Sequence, residues 1–138
     1  MHSSCFTFQD DKGIEIFVYR WLPDEWRSPK ANVQISHGTG EHAAMCSRFA
    51  GFTSENGYFV HANDYRGHGR TLRELCNSGL LGPGGWNAAA KDLSNLSIIV
   101  EGEPCSPFPL RSQLGIIPCP GLYPQMSSDH SGGNNIWH

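Results

Sequence analysis

Apolar and polar residues alternate from Cys5 to Gln9, and again from Ile14 through Ile16, Val18 and, after Tyr19, Trp21. Between the two runs stands Asp10-Asp11-Lys12-Gly13, which supplies turn chemistry. The period of two predicts a β-hairpin, with Gly13 at the position that needs positive φ. Pro23 to Lys30 reads as a polar connection, and Ala31 to Ser36 as a short strand running into the glycines of His37 to Gly40. From Ala43 to Glu55 the period changes: Met45, Phe49 and Phe52 fall at helical spacing, and Asn56-Gly57 supplies a helix stop. Tyr58 to Ala62 is a second buried strand, ending in the polar Asn63-Asp64. A loop through Gly67, Gly69 and Gly79 to Gly82 leads to a helix from Trp86 to about Val100, with Leu93, Leu96 and Val100 on one stripe. The order ββ-β-α-β-α predicts an α/β fold, a hairpin feeding a mostly parallel sheet with helices on both faces.

That patterning stops near Glu103. Of the 35 residues that follow, only Arg111 and Asp129 carry charge, and six of the nine prolines lie there. Prolines at this density remove backbone donors and disfavour helix interiors and central strands. Residues 104–138 are therefore expected to be irregular, leaving 1–103 as the organised part. The 138 residues allow one domain at most, short for a large α/β enzyme. A net charge of −3 gives no basic footprint for nucleic acid and no polybasic arm for a membrane. No apolar run reaches the roughly 20 residues that cross a bilayer, and Met1 to Phe6 has no signal-peptide pattern. Five cysteines without C-x-x-C spacing argue against a disulfide framework or a zinc knuckle and fit a reducing cytoplasm.

The chemistry centres on Ser36-His37-Gly38-Thr39-Gly40-Glu41-His42. A strand running into this glycine turn sets backbone N–H groups at the carboxyl edge of a sheet, where ligands of open α/β folds bind. Small residues there let the backbone approach a substrate closely. In acyl transfer, such an N–H stabilises the tetrahedral oxyanion, an effect worth roughly 3–4 kcal/mol per donor. Taken alone, the tetrapeptide reads more readily as a plain glycine turn than as a functional one, and no Gly-Lys-Ser/Thr follows to make it a phosphate loop. His37, His42, His61 and His68 lack H-E-x-x-H or H-x-H spacing, so neither a metal nor a cofactor is expected.

His37 to His42, a helix, Glu55-Asn56-Gly57-Tyr58, a strand, then Asn63-Asp64-Tyr65-Arg66-Gly67-His68-Gly69 together resemble the monoacylglycerol lipase and lysophospholipase branch of the α/β-hydrolases, often called serine aminopeptidase S33-like. Gly79-Leu80-Leu81-Gly82, Gly85-Trp86 and Asp92-Leu93 resemble the next part of that family, in unbroken order over roughly residues 5 to 103. The resemblance implies a carboxylic ester hydrolase in which a serine attacks a lipid ester, a histidine acts as base and an acid orients it. It implies that the Thr39 N–H is an oxyanion-hole donor, with Gly38 and Gly40 lining the substrate. It also implies that Arg66 to Gly69 is a structural loop in which His68, like His42, braces by hydrogen bonding.

The family's Gly-x-Ser-x-Gly elbow is absent from this sequence. The genetic code supplies a reason. Arg111 to Pro118 can be encoded AGG TCA CAG CTT GGG ATC ATT CCT; read one base later, these bases give Gly-His-Ser-Leu-Gly-Ser-Phe, a nucleophile elbow. The same shift from Pro104 to Gln125 permits an apolar strand, the elbow and then a helix. Wobble bases are free in this reading; second bases and most first bases are not. Residues 104–138 are thus expected to be an out-of-frame translation, and the chain an inactive fragment whose last strand has an unpaired flank. The alternative is a non-enzymatic binding module or an inert pseudogene product.

Overall fold

A computed structural model describes residues 1–24 and 29–102, and the backbone of 115–118. Strands β1 (His2–Gln9) and β2 (Glu15–Leu22) form the hairpin, paired from His2 with Leu22 to Gln9 with Glu15. Its turn is built by Asp10, whose Oδ1 accepts the N–H groups of Lys12 (2.9 Å) and Ile14 (2.6 Å). Gly13 takes φ +75° there, a conformation that costs a residue with a Cβ.

Strand β3 (Asn32–Ser36) leads through a 3₁₀ turn, Ala43–Cys46, into helix α1 (Ser47–Glu55). α1 ends as the sequence predicts. The N–H of Gly57, at φ +89°, donates to Ser54 O (2.9 Å), and that of Tyr58 donates to Thr53 O (3.4 Å). These two bonds cap carbonyls the helix leaves open, in a Schellman motif. β4 (Phe59–Asn63) and the long helix α2 (Gly85–Glu101) follow. The sheet order is β1-β2-β4-β3-β5, antiparallel across β1, β2 and β4 and parallel across β4, β3 and β5.

The two faces of the sheet differ. Trp21, Val33, Ile35, Val60 and Ala62 pack with Ala43, Cys46 and Ala50 of the α1 side. Val18, Leu96 and Val100 join Phe6 and Phe8 beneath α2. β2 thus serves both cores, which explains why its alternation shifts between Val18 and Trp21. Beneath α2, beside this small core, runs a polar row: Arg20, His61 and Gln34 are neighbours across β2, β4 and β3. Gln34 is satisfied, its amide donating to Leu93 O (3.1 Å) and its carbonyl accepting from Ser97 Oγ (2.8 Å). Among the described residues, neither nitrogen of the buried His61 finds a partner.

Four expectations are corrected. Met45 and Phe52 are exposed, and α1 instead buries Ala50, Gly51 and Ser54, because small residues let the helix sit close against its neighbours. The irregularity expected over 104–138 fails at Gly115–Pro118, which form strand β5, parallel to β3 from Val33 with Gly115 to Ser36 with Pro118. The unpaired flank expected of the last strand is corrected as well: β4 lies between β2 and β3, and the outer side of β3 pairs with β5. An extended Gly-Ile-Ile-Pro segment thus satisfies backbone groups that an open edge leaves to solvent. The rest of that expectation lies outside the described residues. Among the cysteines described, Cys5 and Cys76 are free, while Cys46 is disulfide-bonded; an odd count leaves room for such a bridge.

Candidate functional site

At the carboxyl end of β3 the chain turns over Gly38 to Glu41. The Glu41 N–H donates to Gly38 O (3.1 Å), and Gly40 at the third position has φ +84°, the arrangement of a type II turn. The Glu41 carboxylate closes the turn from the other side, its Oε2 accepting the Gly38 N–H at 2.9 Å. Thr39 therefore occupies an exposed corner, and among the described residues its N–H meets no acceptor.

His37 holds the base of this turn. Its Nε2 accepts the N–H of Tyr65 (3.0 Å), so the ring proton sits on Nδ1, which donates to Gly38 O (2.9 Å). Burial holds its pKa below the usual histidine range, opposed in part by the bond to Gly38 O. With both nitrogens occupied in the neutral ring, His37 acts as a brace and not as a base. Tyr65 grips the same segment twice, since its hydroxyl also hydrogen-bonds Ser36 Oγ. The His37 and Tyr65 rings lie 4.3 Å apart, and Trp86 meets Tyr65 edge-on at 5.9 Å.

The loop after β4 is tied down by buried charge. Asp64, fully buried, accepts the N–H of Ala43 (2.7 Å) through Oδ1 and that of Arg70 (2.7 Å) through Oδ2. It thereby joins the start of the 3₁₀ turn before α1 to the post-β4 loop. Arg66 donates to Asp92 of α2 through Nε (2.7 Å) and Nη2 (3.0 Å), and through Nη2 to Asp10 of the hairpin turn (2.6 Å). The hydrogen bonds that Arg66 donates to Asp92 are the largest cause of its raised pKa, and the charges of both carboxylates add to it. Asp10 stays below the usual carboxylate range although burial works against it, because two backbone N–H groups and Arg66 favour its charged form.

Two glycines of this loop are required by contact as well as by φ. A Cβ on Gly69 (φ +47°) would lie 2.3 Å from Asp64 Oδ2, and one on Gly67 (φ +71°) would lie 2.2 Å from Leu80 O. His68 Nδ1 donates to Arg66 O (2.9 Å), in keeping with the bracing expected of it. His42 differs: it is exposed and its side chain makes no hydrogen bond among the described residues, because the turn leads it out of the fold. Among the described residues, no three His, Cys, Asp or Glu side chains converge on a metal position. Sequence pattern alone missed Tyr65, Asp64 and the Asp10–Arg66–Asp92 cluster as a unit; the only one-dimensional signal was charged residues standing at the ends of apolar strands.

Comparison with known proteins places this geometry. Residues 27–110 match the serine aminopeptidase S33 family. The chain is 41% identical over 75 residues to a monoglyceride lipase homolog of monkeypox virus, which amounts to 54% of this chain and 25% of that protein. It is 40% identical over 75 residues to Protein K6 of vaccinia virus, covering 83% of that shorter protein. Among solved structures, a thermostable carboxyl esterase from Bacillus coagulans superposes with a TM-score of 0.63 at 31% identity, over 73% of this chain and 32% of that one. The chain thus spans about a quarter of the length of the lipase homolog it matches. With a family match over more than half its length and the sheet order described above, the chain belongs to the serine aminopeptidase S33 family of α/β-hydrolases, in its monoglyceride lipase-like part.

Proposed function

We propose that this chain carries the oxyanion-holding portion of a lipid ester hydrolase of the monoacylglycerol lipase or lysophospholipase kind, and that it does not turn over esters by itself. The observation that carries the reading is the division of labour in the turn. Glu41 occupies the Gly38 N–H, and among the described residues the Thr39 N–H has no acceptor at the carboxyl edge of β3. A fixed, unpaired N–H at this edge suits an oxyanion that appears only in the transition state. Gly38 and Gly40 on either side keep side chains away from the approaching carbonyl. The names of relatives support a monoacylglycerol as the class of substrate.

The inactivity of the chain rests on the absence of a Gly-x-Ser-x-Gly elbow from its sequence. The purified chain should leave p-nitrophenyl esters untouched. Turnover abolished by a serine-directed fluorophosphonate would overturn this part of the reading. The reading frame is tested at the gene: downstream of codon 104, the frame one base later should be open and encode Gly-His-Ser-x-Gly. A second reading, a non-enzymatic binding module, draws on the pairing of β5 with β3, which extends the sheet by one strand. A shifted frame without an elbow would decide for it.

A further inference from the structure

A cavity of about 290 Å³ lies between the end of the hairpin turn and the loop that follows β4. Ile14, Leu72, Leu80 and Leu81 give it apolar walls, and Arg66 and Arg73 are its charged lining residues. It shares no residue with the cluster of Ser36, His37, Thr39, Tyr65 and His68. The two guanidiniums are not equivalent. Arg66 is buried and its charge is met by Asp10 and Asp92, so it contributes mainly its stem. Arg73 is exposed, and among the described residues it forms no ion pair. The adjacent Glu74 carboxylate is engaged elsewhere, accepting from Asn77 Nδ2 at 3.2 Å. No acidic residue lines the cavity among the described residues.

An apolar chamber with one unopposed cation at its surface matches a ligand that is apolar along its length and anionic at one end. We propose that this cavity binds a medium-chain monocarboxylate, with the alkyl chain among the leucines and the carboxylate on Arg73. The size sets the chain class: about 290 Å³ stands at the lower end of the roughly 300–1,000 Å³ of small-molecule sites, too small for a long acyl chain. The exposure of Leu80, at 59%, is explained as well, since an alkyl chain in the cavity covers part of it. The site is separate from the ester-hydrolase reading and stands whether or not the chain turns over esters.

The test is photo-crosslinking of the full chain with a decanoate analogue bearing a terminal diazirine, used below its micellar concentration, followed by peptide mapping. Label should concentrate within residues 72–83 and be displaced by decanoate but not by decanol. Arg73→Gln should reduce labelling about three- to fivefold, the scale of one exposed ion pair, and Arg73→Lys should restore it. Leu80→Asp, also at an exposed position, should reduce it by setting a carboxylate against the ligand's own. Label spread over the exposed Met45, Phe52 and Ile98, equal displacement by decanol, or unchanged labelling of Arg73→Gln would each overturn the proposal.

Discussion

The backbone N–H of Tyr65 donates to Nε2 of His37 across 3.0 Å, joining the first residue of the turn segment to the loop after the neighbouring strand. This bond fixes the ring tautomer and, through Nδ1, the carbonyl of Gly38. His37→Ala leaves the buried Tyr65 N–H without an acceptor. Such a loss costs about 1–3 kcal/mol, to be read from urea unfolding midpoints. His37→Gln, which can offer an acceptor, should recover part of it.

Acid should weaken the fold through its buried neutral histidines. Burial, aided by the charge of Arg20, lowers the pKa of His61 from 6.5 to about 3, and burial lowers that of His37 as well. Above pH 6.5 these groups are neutral folded and unfolded and contribute nothing to a pH dependence. As pH falls from about 6.5 toward about 3, the unfolded chain takes up the proton first, and stability drops by on the order of a few kcal/mol. His61→Leu should flatten the decline in that window, measured as denaturant midpoint against pH. A parallel decline in the variant would contradict this.

Removing one member of the Arg66 cluster should be severe. Asp92→Ala strips the bidentate partner from a guanidinium that is almost wholly buried, a change worth about 3–5 kcal/mol. Arg66→Met combined with Asp92→Leu should cost less than Asp92→Ala alone, because the buried guanidinium is gone and Asp10, though it loses Arg66, keeps its two backbone N–H donors. Equal losses would mean that the salt bridge is not the source of the effect.

Gly69→Ala and Gly79→Ala separate contact from conformation. Both positions have positive φ, +47° and +78°, but a Cβ at Gly79 meets nothing within 4 Å whereas one at Gly69 collides with Asp64. Gly79→Ala should lose only about 1 kcal/mol of backbone strain. Gly69→Ala should lose more, and should also disturb the amide signals of Ala43 and Arg70, the two donors to Asp64.

Local chemistry was what the sequence displayed best. Gly13 and the Asn56-Gly57 stop announce themselves because the residue that permits a positive φ lies at the bend itself. Helix α2 shows through its own stripe, Leu93, Leu96 and Val100, of which Leu96 and Val100 are buried. The glycine turn after β3 was legible for the same reason. The stretch from Ala43 to Glu55 was misread at Met45, which lies in the 3₁₀ turn, and at Phe52 of α1, because apolar spacing does not say which face the sheet can approach, and Ala50, Gly51 and Ser54 give the closer fit. β5 was hidden in a proline-rich stretch, since a strand of four residues needs only a partner edge, and that edge belongs to β3. Asp64, Tyr65 and Arg66 act on residues far along the chain, and periodicity carries no record of such partners.

Arg66 also imposes an order of events on synthesis. One of its carboxylate partners lies 56 residues before it and the other 26 residues after it. Pairing with Asp10 can begin as soon as β4 has left the ribosome, but the guanidinium cannot be enclosed until Asp92 and its helix have followed. A chain of this kind acquires the setting of its glycine turn late, through contacts distant in sequence, which form slowly. Until α2 has emerged, the nascent chain holds a partly paired cation at the edge of an uncovered sheet face, the interval in which a chaperone has something to bind.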